Sequence, residues 1–134
     1  MSPHGNPLSR LQRALSTGDA QLALDAAREL DRVPLTDAFG VCLLLRGSQA
    51  RYDRACVRWL ERFAAEVEEA TLADVQLVAE GLQAIRHGAR VGELDGLIEV
   101  LGAHRLHRAL AHLELLDAAG RSVIQPGCRS ERSS

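Results

Sequence analysis

The chain contains no lysine: all sixteen of its basic side chains are arginine. Guanidinium forks bind carboxylates and phosphates bidentately where an ammonium cannot, so its cationic surface is planar and directional. Asparagine occurs once, at Asn6, and aromatic residues make up 3% of the sequence, so leucine and alanine must fill any core. This Ala-, Leu-, Gly- and Val-rich composition points to a GC-rich bacterial genome, such as an actinobacterium. No apolar run approaches the roughly 20 residues that cross a bilayer, and no membrane association is expected. Met1–Pro7 has neither the basic nor the apolar region of a signal peptide, so the expected location is the cytoplasm. The three cysteines, Cys42, Cys56 and Cys128, are too widely spaced for a disulfide framework or a zinc knuckle. Cys42 and Cys56 fall in apolar helical stretches and are expected to be small core residues. A net charge of −2 and a pI of about 6.2 provide no global field toward nucleic acid or anionic lipid.

What is present is helical periodicity. With 134 residues the chain suits one domain with a modest core. Residues 1–7 read as a disordered arm, 8–119 as a single all-helical domain, and 120–134 as a flexible tail rich in Arg, Ser, Pro and Gly. Leu8, Leu11, Ala14 and Leu15 start a first helix that Gly18 closes, and Asp19 is placed to cap a second running to about Asp31. Pro34 breaks it. The third helix, about Leu35 to Leu45, is apolar nearly all round and should be the most central. Gly40 within it costs roughly 1 kcal/mol relative to alanine, and a neighbouring backbone passing close is the expected reason. A long fourth helix spans about residues 49–69. Thr71–Asp74 reads as a capping box opening a fifth helix through Arg86, ended by His87-Gly88. A sixth helix is expected over 91–101 and a seventh over 103–119. No segment alternates with period two, so no sheet is predicted. The expected core is Leu11, Leu22, Leu30, Leu43, Leu44, Trp59, Leu60, Phe63, Leu77, Leu110 and Leu113.

Two stretches answer each other at a fixed offset: Ala20, Ala23 and Ala27 recur 32 positions later as Tyr52, Ala55 and Trp59, each set following a Gly-bearing break. The Gly18-Asp19-Ala20…Ala23…Ala27 pattern and Tyr52…Ala55…Trp59 resemble the second half of a tetratricopeptide repeat, over residues 8–69. The resemblance fits the six or seven helices read above being stacked as antiparallel hairpins, a short α-solenoid-like array; an irregular helical bundle is the alternative. It also implies that a peptide or partner helix is bound in a groove.

The fourth helix carries the candidate site. At 100° per residue, Arg51, Arg54, Arg58 and Arg62 share an arc of about 80°, beside an apolar face containing Tyr52 and Trp59. These six residues are the expected partner-binding surface. Arginines early in a helix oppose its dipole, so acidic residues across from them (Asp25, Glu29 and Asp31), an acidic partner, or phosphates are the expected counterparts. His104 and His107, one turn apart, are spaced to share a metal but lack further ligands, so no metal is assigned. No Gly-rich phosphate loop, metalloprotease spacing or nucleophile–base arrangement is evident, and no cofactor or catalytic residue is assigned. The expected function is a non-enzymatic protein–protein interaction or adaptor module with an unknown partner. A nucleic-acid-associated regulator using the same arginines is the alternative, and a metal-dependent enzyme a third reading. The stripe of Leu106, Leu110 and Leu113 on the seventh helix is expected to be uncovered and to pair with a second copy, as a homodimer, or with a partner.

Overall fold

Several breaks in the helical pattern are made by residues whose chemistry favours them. The computed structural model describes residues 6–116. Asn6 accepts the Ser9 N–H at 2.8 Å and opens α1 (Pro7–Thr17), with proline in the first turn where a missing N–H costs nothing. Gly18 takes φ 79°, the left-handed turn that ends α1. Asp19 Oδ1 then accepts the Leu22 N–H at 3.0 Å and caps α2 (Ala20–Arg28). Pro34 precedes α3 (Leu35–Leu44), and a 3₁₀ turn (Leu45–Gly47) leads to α4 (Gln49–Glu66). The reciprocal Thr71–Asp74 capping box opens α5 (Leu72–Arg86), both of its hydrogen bonds measuring 3.1 Å.

After a 3₁₀ turn (Val91–Glu93) comes α6 (Asp95–Ala103), so the single expected helix over 91–101 is a turn plus a helix. Arg105 adopts φ 61°, where glycine is usual, and the chain enters α7 (107–116). The architecture is therefore all-α, with seven helices and no strand among the described residues. The expected arm at residues 1–5, the end of the seventh helix and the tail lie outside the described residues. Asn6 and Pro7, expected in the arm, belong to the first helix and its cap.

Successive helices pack on one another from α1 to α6, and α7 returns to α3. Two cores result. The larger joins α3 to α7 through Phe39, Tyr52, Trp59, Phe63, Leu82, Leu97, Leu101 and Leu113. The smaller holds α1 to α2 through Leu11, Leu15, Ala23 and Ala26, closed by Val41 and Leu44 of α3. Helix α3 thus serves both, which is why it is apolar on nearly every side. Phe39 meets Trp59 edge-on at 5.1 Å, and Trp59 stacks on Phe63 at 5.3 Å. The few aromatics are spent on one contiguous cluster.

Several expectations are corrected. Leu22 is 58% exposed and Leu77 37%, so neither is core, and Leu30, Leu44, Leu60 and Leu110 are only partly buried. Helix α4 ends at Glu66, where Val67 turns to extended backbone, three residues before Glu69. The atoms nearest a Cβ at Gly40 belong to a side chain, the His112 ring, whose Cδ2 would lie 2.9 Å away, and not to a neighbouring backbone. The stripe on α7 is not left bare. Leu113 is buried, and Leu106 and Leu110, partly buried, pack on the larger core.

Candidate functional site

Helix α4 has two chemically distinct sides, and the structure separates them cleanly. Tyr52, Cys56, Trp59 and Phe63 point inward, whereas Arg51, Arg54 and Arg58 stand in solvent. Tyr52 and Trp59, expected to share the partner surface, are 2% and 1% exposed. Their polar atoms are committed inside: the Tyr52 hydroxyl donates to the Leu82 carbonyl at 2.6 Å and the Trp59 indole N–H to the Leu35 carbonyl at 2.8 Å. A buried phenol or indole finds such a partner because leaving it unpaired costs about 1–3 kcal/mol. The two aromatics hold the fold, and the surface beside them is arginine.

The arginine row also divides. Arg62 Nε lies 2.7 Å from Glu66 Oε2, and its Nη2 donates to the Val33 carbonyl at 2.7 Å. Glu66 additionally takes Arg32. The hydrogen bond from Arg62 holds the Glu66 carboxyl below its usual range. By contrast, Arg51, Arg54 and Arg58 have no hydrogen-bonded or ion-paired side-chain partner among the described residues. The acids expected opposite them do not pair with them: Asp25 pairs with Arg28 at 3.1 Å, Glu29 pairs with Arg10, and Asp31 is exposed.

Directly beside the row lies an apolar cleft of about 180 Å³, rimmed by Arg58 and Arg62. Its floor is Ala27, Val33, Ala38, Val41, Cys42, Ala55 and Trp59. Small side chains on α2, α3 and α4 meet there, and no larger one fills the gap. On the far side of α4 a cleft of about 340 Å³ runs along α5, but its charges are paired, Arg86 lying 3.4 Å from Asp53. A third cavity of about 680 Å³ lies between the ends of α1 and α3 and α7, with Leu115 and Leu116 at its edge. Beyond them the chain continues outside the described residues.

Three polar groupings are buried or partly buried. Asp37 is 1% exposed, with Arg108 Nη2 at 3.2 Å, Gln12 Nε2 at 3.3 Å and His112 Nε2 at 3.5 Å. Burial pushes its pKa up, but His112, Gln12 and Arg108 together outweigh burial and leave it below the ordinary value. Nothing near Asp37 in sequence announces this role; an acid in the first turn of a helix reads as dipole compensation. His104 Nε2 lies 2.9 Å from Asp74 Oδ2 and its ring meets Phe63 edge-on, while His107 is exposed. Among the described residues, no three His, Cys, Asp or Glu side chains gather as metal ligands. The thiols of Cys42 and Cys56 are both free and buried, and contact with Cys56 together with burial pushes the Cys42 thiol well up. Set beside known proteins, the chain matches no family model, no curated protein and no solved structure.

Proposed function

We propose that the chain is a non-enzymatic protein–protein interaction module that receives its partner on the arginine flank of α4. The observation that carries this reading is the state of Arg51, Arg54 and Arg58: exposed, in a row, and with no side-chain partner among the described residues. Helix stability does not account for them. A cation in the first turn opposes the dipole by about 0.3–1 kcal/mol, which weighs most on Arg51 and fades beyond that turn. The apolar cleft beside Arg58 supports the same reading, because interfaces combine an anchor pocket with a polar rim. The resemblance of residues 8–69 to partner-binding helical repeats points the same way.

A nucleic-acid role is less well supported. Single strands are held by aromatic stacking as well as by charge, and all four aromatic residues of this chain are buried. Affinity capture from nuclease-treated host lysate tests the proposal. A protein retained by the wild-type chain and lost with Arg54→Glu/Arg58→Glu is the expected result. Capture indifferent to the double reversal contradicts it, as does binding of a labelled DNA duplex by the purified chain with a log–log salt slope of about −0.9 per phosphate.

A further inference from the structure

We infer that the partner segment seated on α4 is an acidic amphipathic helix. One apolar side chain enters the cleft beside Trp59, and carboxylates one turn apart meet Arg58, Arg54 and Arg51. This rests on the interaction reading above and specifies its chemistry. Size is the first argument. Pockets for whole small molecules run to about 300–1,000 Å³, so a cleft of about 180 Å³ suits a single anchoring side chain instead.

Charge is the second. Glu66 is shared by two arginines, Arg62 and Arg32, so this three-residue cluster keeps one positive charge in excess. Arg58, Arg54 and Arg51 extend that sign toward the start of α4. Glu61 on the same helix, Glu68 and Glu69 past its end and Asp31 after α2 are exposed acids, so the excess of positive charge lies along Arg51, Arg54 and Arg58. A ligand with carboxylates along one edge complements it, and one with basic residues is repelled.

Spacing is the third. Arg51, Arg54 and Arg58 recur at three- and four-residue intervals, hence about 4.5 and 6.0 Å apart along the helix axis. A second helix laid alongside presents same-face side chains at that repeat. An extended peptide presents them at about 6.6–6.8 Å, and it gains its backbone hydrogen bonds from a sheet edge. No strand exists among the described residues to offer one.

Fluorescence anisotropy with defined probes tests the inference on the full chain. The probes are labelled helical peptides carrying one Leu, Met or Phe anchor and glutamates at three- and four-residue spacing along one flank. Controls are the same composition with the amphipathic period scrambled, the anchor replaced by Ser, the glutamates replaced by Lys, and a labelled oligonucleotide. The amphipathic acidic peptide should bind, the controls should not, and Arg58→Glu should lower affinity roughly tenfold, the scale of an interfacial arginine anchor. Ala38→Leu, which fills the cleft, should lower it comparably, with Ala55→Met as an independent filling variant and circular dichroism verifying the fold of each. Equal binding of the scrambled peptide, or binding untouched by both filling variants, overturns the inference. If no peptide binds while Arg54→Glu/Arg58→Glu still abolishes capture of a protein partner, the helix inference fails and the interaction reading stands. If the oligonucleotide binds in an Arg58-dependent manner instead, both fail.

Discussion

The carboxylate of Asp37 and the guanidinium of Arg108, 71 positions apart in sequence, lie 3.2 Å from each other. Asp37 is 1% exposed while the Arg108 side chain remains 55% exposed, so the pair is asymmetric: a buried acid reached by an arginine from the surface. It fastens α7 to α3, and Gln12 adds α1 to the same knot. Asp37→Ala removes the centre of it. Because Arg108 can rehydrate, the cost should be about 1–3 kcal/mol, less than for a pair buried on both sides. A urea denaturation midpoint checks this.

Acidity should act through the same residue. The folded-state pKa of Asp37 is lowered, so its contribution is present above the unfolded value of about 3.9 and is lost as pH falls through the folded value. Asp74, lowered chiefly by its hydrogen bond with His104, has the same sign. Stability should hold from neutrality to about pH 4 and decline below it. In Asp37→Asn the acid limb should be shallower. An unchanged limb would place the titration elsewhere.

Gly81, inside α5, is buried where α6 crosses: a Cβ there would lie 2.7 Å from the Leu97 Cβ. Alanine is the better helix former by about 1 kcal/mol, so propensity alone predicts that Gly81→Ala stabilises. The opposing atom is a Cβ fixed to its backbone, which cannot swing away. Overpacking should prevail, and the variant should lose about 1–3 kcal/mol. A raised thermal midpoint would contradict the close packing of α5 and α6.

Trp59 packs between Phe39 and Phe63 and bonds the first residue of α3 through its indole N–H. Trp59→Ala should therefore cost about 3–5 kcal/mol. Near-ultraviolet circular dichroism and a denaturant midpoint check it; a small effect would move the ring to the surface.

Local signals were legible because neighbours in sequence act on one another. Gly18, Asp19, Pro34 and Thr71–Asp74 mark helix ends through hydrogen bonds spanning three or four residues, and they mark them in the structure too. Periodicity gave α4 its inward aromatics but not the extent of cover, which is why Leu22 and Leu77 are exposed. Knots tied across the fold were not readable. Nothing near Asp37 points to Arg108, and Gly40 gives no hint of the His112 ring. The arginine row could be read directly. Its division into a committed Arg62 and exposed Arg51, Arg54 and Arg58 depends on the Val33 carbonyl, which arrives from the α2–α3 loop. The cleft beside it exists only because alanines of three helices meet.

The central claim is that the flank of α4 serves a partner and not the fold. Thermal melts and partner capture, measured together on Arg54→Glu/Arg58→Glu and on Arg62→Ala, test it most directly. In the double reversal the melt should move by no more than the equivalent of about ±0.5 kcal/mol while capture is lost. Arg62→Ala should destabilise by about 1 kcal/mol, because it strips the donor from the Val33 carbonyl and from Glu66. Capture undiminished by the double reversal, with folding intact, would contradict the account.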